Sequence, residues 1–142
     1  MKMNVIIVYN QCEDRILMCL RSKEPYKGLY NLVGGKVEAG EEGLESAYRE
    51  LEEETGITPK DITLTHLMDF KYYMSNIELQ VYAGKINKEI IFAEEVNMLY
   101  WVSSDDNFFD ITKYAGEGNI GHMLEQVKLY RKKLFYYSGD RP

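Results

Sequence analysis

The hydrophobic pattern at the start of the chain predicts a β-hairpin. Two β-branched and apolar runs, residues 4–9 and 15–21, are separated by a polar stretch at residues 10–14. Short apolar runs bounded by a polar turn are typical of paired strands. Residues 21–30 contain a proline, a glycine and three cations, and are therefore predicted to form a loop.

An amphipathic helix is predicted over residues 42–55. Its apolar residues recur at spacings of three and four, which places them in one stripe: Leu44, Ala47, Tyr48 and Leu51. Gly56 follows at the position where a left-handed C-terminal cap is expected, and Pro59 lies just beyond it. Both signals end the helix at residue 55.

The second half of the chain predicts further strands and a closing helix. Residues 62–73 and 77–86 form a predicted strand pair, because apolar and polar positions alternate in the second run. Residues 97–102 predict a shorter strand, and residues 138–142 a frayed tail. Apolar residues at helical spacing mark a closing helix: Ile120, Met123, Leu124, Val127 and Leu134. The order of elements indicates an α+β fold with helices on both faces of a mixed sheet.

Length and composition restrict the class of protein. The chain has 142 residues, of which 45% are hydrophobic and 28% charged, so we predict one folded domain over residues 1–142 rather than a disordered chain. No apolar run approaches the ~20 residues of a membrane helix, which predicts a soluble protein with no membrane partner. Residues 5–9 are too short for a signal-peptide core, and two cysteines are expected to be free thiols, so we predict a cytoplasmic location.

The net charge limits the choice of partner. A charge of −6, from 17 basic and 23 acidic residues, argues against a nucleic-acid partner bound independently of sequence. An anionic small molecule would need a local reversal of the field, which a bound divalent metal supplies. The sequence leaves open whether the chain is a monomer or a homodimer.

The predicted helix is unusually acidic. Between Glu41 and Glu54 there are seven glutamates and one arginine, and Glu50, Glu53 and Glu54 share one helical face. Like charges at this spacing destabilise a helix by a few tenths of a kcal/mol per pair, and the helix dipole disfavours acids in the last turn. A solvated charged face fits this pattern poorly. Carboxylates held on one rigid face favour a site for a hard cation such as Mg²⁺.

Residues 35–57 resemble the signature of the Nudix hydrolases, G-x5-E-x7-R-E-U-x-E-E-x-G-U, in which U is aliphatic. Every defined position is filled, by Gly35, Glu41, Arg49, Glu50, Leu51, Glu53, Glu54, Gly56 and Ile57. The resemblance implies a Nudix-type α/β/α sandwich with a mixed sheet. It also implies hydrolysis, with Mg²⁺ or Mn²⁺ as cofactor, of a nucleoside diphosphate linked to another group.

The resemblance assigns expected roles within this segment. It implies that the metal ligands are three carboxylates and one backbone carbonyl: Glu50, Glu53, Glu54 and Gly35. Glu41 and Arg49 would orient the helix against its loop, because a guanidinium holds a carboxylate with two parallel bonds. Glu53 is the first choice for the general base. A further ligand is expected from a later loop, where Glu94 and Glu95 are candidates and a solvated loop acid is an equal alternative.

Candidate substrate contacts come from residues outside the helix. Residues 31–37 resemble the approach to the motif in MutT-like hydrolases of oxidised purine triphosphates, so Asn31 would hydrogen-bond a base and Tyr30 would stack on it. Asn119 is a second candidate base contact, with a helix N-cap as the favoured alternative. Three loop cations are candidates for phosphate oxygens, with a solvated surface as the alternative: Arg21, Lys23 and Lys27.

Several functions remain as alternatives to a MutT-like purine triphosphate hydrolase. Tyr72 and Tyr73 lie about where dinucleoside-polyphosphate hydrolases carry a tyrosine, although strand aromatics need no ligand. The proline that ADP-ribose hydrolases tend to carry there is absent. A Nudix-fold module that binds a nucleotide without cleaving it would usually lose the helix carboxylates. An isopentenyl diphosphate isomerase would need a catalytic cysteine, and Cys12 and Cys19 are instead expected to be structural.

Overall fold

The computed structural model describes residues 1–91 and 98–136. In this part of the chain, six strands form one sheet and three helices pack against it. The strands are β1 (Lys2–Tyr9), β2 (Arg15–Leu20), β3 (Tyr30–Asn31), β4 (Thr65–Tyr72), β5 (Ile77–Lys85) and β6 (Leu99–Ser103). The helices are α1 (Gly43–Thr55), α2 (Asn119–Leu129) and α3 (Arg131–Phe135).

The sheet is mixed, as the sequence predicted. Its order is β3-β2-β1-β5-β4, with β6 paired to β2. β1 and β5 run parallel from the pair Lys2–Glu78 to the pair Tyr9–Lys85. β4 and β5 form the predicted strand pair, which is antiparallel, although β4 begins at Thr65 rather than at residue 62.

The predicted hairpin of β1 and β2 is present only near its turn, where Tyr9 pairs with Ile16. Farther along, the loop before α1 occupies that edge of β1. The Asn4 N–H donates to the Gly35 carbonyl at 2.8 Å, and the Ile6 N–H donates to the Val33 carbonyl at 2.9 Å. This pairing fixes the loop against the central strand.

Side chains of β1 enter two apolar cores, one on each face of the sheet. Ile6 and Val8 pack on the α1 side, whereas Ile7 and Tyr9 pack on the α2 side. This alternation is the period of two expected of a strand buried on both faces. The result is the α/β/α sandwich that the family resemblance implied.

Helix α1 has the predicted end. Gly56 adopts a left-handed φ of 80° and donates its N–H to the Glu52 carbonyl at 2.8 Å. One member of the predicted apolar stripe is wrong, because Leu44 is 42% exposed in the first turn. Ser46 is buried in its place beside Ala47.

Other predicted boundaries also change. The single closing helix is wrong, because Tyr130 leaves helical geometry at φ −111° and ψ 18° and separates α2 from α3. The predicted strand at residues 97–102 is observed as β6, while residue 97 and the predicted tail at 138–142 lie outside the described residues. Among the described helices, none has the length and apolar character needed to span a bilayer.

Glu13 connects the first turn to the end of the chain. Its side chain is 8% exposed and accepts hydrogen bonds from Lys85 Nζ at 3.0 Å, from Arg131 Nε at 2.7 Å and from the Tyr136 hydroxyl. Burial alone would raise the pKa of Glu13, but the hydrogen bonds from Tyr136, Lys85 and Arg131 outweigh it and hold the pKa below its usual range.

We expect Glu13→Gln to lower the free energy of unfolding near neutral pH by about 2 kcal/mol, since it removes a charged acceptor from three donors. The folded pKa lies below the unfolded value of about 4.3, so the carboxylate stabilises the fold above that value and loses its contribution as the pH falls through the folded pKa. Urea unfolding at several pH values measures this. Wild type should lose its advantage over Glu13→Gln in acid, and a constant difference at all pH values would contradict the assignment.

Candidate functional site

Arg49 of α1 donates hydrogen bonds to three glutamates of the acidic segment. Its Nε and Nη2 donate to the two carboxylate oxygens of Glu41 at 2.7 and 3.1 Å, the parallel geometry of a bidentate pair. Its Nη1 donates to Glu50 at 3.0 Å and to Glu53 at 2.8 Å. The hydrogen bond from Arg49 lowers the pKa of Glu41 to about 2. Nη2 also donates to the Lys36 carbonyl at 3.1 Å, which joins the helix to its loop.

Glu50 and Glu53 differ in their access to solvent. The Glu50 carboxyl group lies directly over Gly35, so that a Cβ atom at Gly35 would collide with it. The Glu53 side chain is 55% exposed, so water and a ligand can reach it while Arg49 holds it. Of these two carboxylates, Glu50 is therefore packed against the loop, and Glu53 is accessible to solvent.

Glu54 points away from Arg49 into a half-buried position. Its Oε1 accepts the Gly34 N–H at 3.0 Å. Burial raises the pKa of Glu54 to about 7, the Gly34 N–H opposes that rise, and the charges of Glu50 and Glu53 add to it. A buried carboxylate beside two others is stabilised in its charged form by a nearby cation.

The donor atoms fit a hard divalent cation, although their side chains do not converge. Within residues 1–91 and 98–136, no three acidic, histidine or cysteine side chains lie close enough together to enclose a metal ion. Arg49 holds two of the three predicted carboxylates, and Gly34 holds the third. The predicted Gly35 carbonyl accepts the Asn4 N–H and retains a second lone pair. Glu94 and Glu95 lie outside the described residues.

Gly34 brings the loop into close contact with β1. Its φ is 152°, and a Cβ atom there would overlap the backbone carbonyl of Asn4. We expect Gly34→Ala to lower the free energy of unfolding by about 3 kcal/mol, because the clash adds to an unfavourable φ. Gly28 is a matched control, since its φ is 85° but a Cβ atom added there would meet no other atom within 4 Å. Gly28→Ala should cost about 1 kcal/mol, and equal losses in thermal unfolding would contradict the predicted clash.

A cavity of about 290 Å³ lies beside this loop. Glu54, Gly34 and Gly35 line one side of it, and residues from β1 and α2 line the others. Three of the predicted substrate contacts also line it: Arg21, Asn31 and Asn119. The fold therefore places two of the four candidate metal ligands, Glu54 and Gly35, around one space with candidate nucleotide contacts, whereas Glu50 and Glu53 are not in its lining.

The N-cap alternative for Asn119 is wrong. Gly118 occupies the N-cap position with a left-handed φ of 91°, and Asn119 is the first residue of α2. Its Nδ2 donates to the Tyr72 hydroxyl at 2.6 Å, and both side chains border the cavity. Asn119 is therefore held toward the site by a residue 47 positions away.

Other predicted contacts are not in the cavity lining. Lys23 and Lys27 are exposed on their loop, and neither lines the cavity. The predicted stacking role of Tyr30 does not fit, because its ring packs instead near Tyr100 and Tyr114, with centroid distances of 5.9 and 6.2 Å. These side chains point to solvent or to the apolar core.

The cavity also includes residues that the sequence did not indicate. Tyr26 lines it, and its hydroxyl donates to Glu117 Oε1 at 2.8 Å, a bond that raises the pKa of Tyr26 to about 12. Cys19 lines it as well, and burial raises the pKa of its thiol. No local pattern predicts a contact between Tyr26 and Glu117, because 91 positions separate them.

Comparisons with known proteins agree with this architecture. The family model described as the NUDIX domain matches residues 2–121. The chain is 46% identical over 48 residues to an ADP-ribose pyrophosphatase of Methanocaldococcus jannaschii, a match that covers 34% of this chain and 28% of that protein. It is 32% identical over 123 residues to the NAD-capped RNA hydrolase NudC of Photobacterium profundum, covering 84% of this chain and 43% of that protein. The chain thus spans less than half the length of these curated relatives.

Among solved structures, the fold is similar to that of the C. elegans Ap4A hydrolase. The TM-score is 0.69 and the sequence identity is 21%, with 92% of this chain and 97% of that chain covered. At this level of identity the likeness shows a shared fold.

Proposed function

The chain belongs to the NUDIX family, whose hydrolases generally use divalent metal ions, and from this premise we propose that it is a metal-dependent pyrophosphohydrolase of nucleotide derivatives. One observation carries the proposal. Glu54 and Gly35 of the acidic segment border the same cavity as Arg21, Asn31 and Asn119. A carboxylate and a backbone carbonyl beside polar side chains in one cavity suit a substrate with a charged diphosphate and a polar base.

The metal-holding residues of the proposal are the three carboxylates of α1 and the Gly35 carbonyl: Glu50, Glu53, Glu54 and Gly35. Their oxygen donors suit Mg²⁺ or Mn²⁺. When bound, a divalent cation neutralises phosphate charge and orients the diphosphate bridge. Arg49 keeps Glu50 and Glu53 on one side of the helix by holding both with Nη1.

The proposed reaction is in-line attack by water on a phosphorus of the diphosphate bridge. Glu53 is accessible and takes the proton of the attacking water as general base. The water oxygen bonds to phosphorus while the bridging phosphorus–oxygen bond breaks, and the leaving phosphate carries away the electron pair. Glu41 and Arg49 contribute by fixing α1 against its loop through the two hydrogen bonds between them.

The substrate we propose first is a purine nucleoside triphosphate, canonical or oxidised. Asn31 and Asn119 reach the cavity with amide groups that can donate to and accept from a base edge. Arg21, which lines the same cavity, suits a phosphate oxygen. A triphosphate cut between its α- and β-phosphorus would yield a nucleoside monophosphate and pyrophosphate.

A diphosphate that joins adenosine to a second group is the other candidate substrate. The similar proteins named above act on ADP-ribose, NAD-capped RNA and Ap4A, all of which contain adenosine joined through a diphosphate or longer phosphate bridge. Tyr72 lines the cavity with its hydroxyl held by Asn119, and its ring is available to a second base or sugar. The net charge of −6 favours small nucleotides over RNA.

A hydrolysis screen tests the proposal and separates the substrates. The purified chain is incubated with Mg²⁺ or Mn²⁺ and with oxidised and canonical purine triphosphates, ADP-ribose, Ap4A, nucleotide sugars and NAD-capped RNA. Chromatography then identifies the products. Cleavage of a diphosphate bridge supports the proposal. Tight nucleotide binding without cleavage of any compound would instead establish a binding module.

The cysteines support the proposed cytoplasmic location. Cys12 is exposed and Cys19 is half-buried, and both are free thiols. Free thiols are typical of proteins in reducing compartments.

A further inference from the structure

Asn4 is a buried polar residue at the centre of the site. It lies in β1 with 1% of its surface exposed. Its Oδ1 accepts the Gly35 N–H at 3.0 Å, and its Nδ2 donates to Ser46 Oγ at 2.9 Å. Its backbone N–H donates to the Gly35 carbonyl at 2.8 Å. One residue thus joins β1, the loop before α1 and the first half of α1.

The loop that Asn4 holds also contacts two of the acidic residues of α1. The Gly34 N–H donates to Glu54, and the Glu50 carboxyl group packs over Gly35. A rotation of the Gly34–Gly35 backbone would therefore move a hydrogen-bond donor away from Glu54 and change the surface under Glu50. The position of both carboxylates depends on this short stretch of backbone.

The two hydrogen bonds of the Asn4 side-chain amide have different roles. The Ser46 bond fixes the orientation of the Asn4 amide, because it places Nδ2 toward the helix and leaves Oδ1 for Gly35. Buried amides with both ends bonded are rigid, since rotation would leave polar groups unpaired. Asn4 is therefore suited to fix the backbone of the loop rather than to fill space.

We propose that Asn4 is a positioning residue for the acidic helix: its amide holds the Gly34–Gly35 backbone, and this backbone sets the positions of Glu50 and Glu54. The inference rests on the proposed function, because it concerns the same carboxylates. It adds a residue outside residues 35–57 to the machinery. Outer contacts of this kind are worth about 10- to 100-fold in metal affinity or activity.

Amide hydrogen exchange followed by NMR tests the first link without requiring activity. Asn4→Leu keeps the branched shape and the number of side-chain heavy atoms but removes both hydrogen bonds of the side-chain amide, so we expect the Gly35 amide to exchange at least about tenfold faster. Asn4→Asp keeps an acceptor for the Gly35 N–H and should retain its protection. Ile7→Val is the matched control, because Ile7 lies in the same strand with its side chain in the core on the α2 side, and the substitution should leave the difference between loop and core amides unchanged.

Metal titration and kinetics test the second link. By calorimetry with Mg²⁺ alone, Asn4→Leu should bind at least about tenfold more weakly than wild type. With a substrate from the screen, its kcat should fall by about 10- to 100-fold while KM changes less than about threefold. The reason is that the lost contact orients the carboxylates of α1 and does not touch the nucleobase of the substrate. Ile7→Val should keep wild-type values.

The outcomes separate this inference from the proposed function. The positioning role is overturned if the Gly35 amide of Asn4→Leu exchanges at the wild-type rate. It is also overturned if exchange is faster but kcat and Mg²⁺ affinity stay at wild-type values. Either result leaves the proposed function intact. A wild-type chain that neither binds Mg²⁺ nor cleaves a nucleotide overturns the proposed function. If Asn4→Leu does not fold, Ser46→Ala replaces it, with faster Gly35 exchange and lower kcat expected, and unchanged values overturn the proposal.

Discussion

Glu53→Gln is expected to lower kcat by about 10²- to 10⁴-fold, the range typical of a lost general base. Glutamine has nearly the same size as glutamate but carries no charge and cannot take up the proton of an attacking water. Glu53 is largely exposed, and Arg49 retains its bonds to Glu41 in the variant, so the fold should survive. Steady-state rates at saturating substrate and Mg²⁺, with circular dichroism as the check on folding, measure the effect.

Glu52→Gln is the matched control for this experiment. Glu52 is the adjacent acid of the same helical turn, and it is exposed. It lies at an undefined position of the signature, and its substitution changes the net charge by the same amount. We expect wild-type rates from Glu52→Gln, and a similar loss in both variants would assign the effect to charge alone. Near-normal turnover by Glu53→Gln would refute the role of Glu53.

Removal of divalent metal is expected to abolish hydrolysis, with a loss of at least about a thousandfold, since charge neutralisation and orientation of the diphosphate are lost together. Treatment with EDTA followed by gel filtration prepares the metal-free chain. Rates are then measured before and after Mg²⁺ or Mn²⁺ is returned. Activity should reappear with either ion in excess over the chelator.

The same metal-free preparation distinguishes a direct effect from unfolding. The sandwich is built on two apolar cores, whereas the candidate ligand Glu53 lies at the surface, so the melting temperature should change little on chelation. Hydrolysis that continues at the wild-type rate in excess EDTA would contradict a metal-dependent reaction. Loss of activity together with loss of the folded state would show a structural metal instead.

The sequence predicted α1 well because the information was local. Acidic and apolar positions at helical spacing, followed by Gly56, determined both the helix and its end. The mixed sheet was likewise indicated by the alternation in β5 and by the order of strands. Leu44 was assigned wrongly because periodicity shows which residues share a face, whereas burial in the first turn depends on what packs over it.

Strand pairing and side-chain contacts between segments distant in sequence were harder to predict. The sequence predicted a hairpin of β1 and β2, and the two strands do pair near their turn, yet β5 and the loop at Gly34 and Gly35 occupy most of the edges of β1. Strand pairing of this kind depends on the whole sheet, and similar apolar runs can satisfy it in several registers. The predicted stacking of Tyr30 on a base likewise depended on a distant segment, because the ring of Tyr30 packs near Tyr114.

The amino-acid sequence was sufficient to identify the family signature, the acidic face of α1 and the alternation of apolar residues in the strands. These features follow from the spacing of neighbouring residues. Tertiary structure alone decided that Glu54 is half-buried against Gly34, that Asn4 holds this loop, and that Asn119 turns toward Tyr72. Those contacts join segments far apart in sequence. Packing of the strands and helices brings them together, and burial then raises the pKa of Glu54.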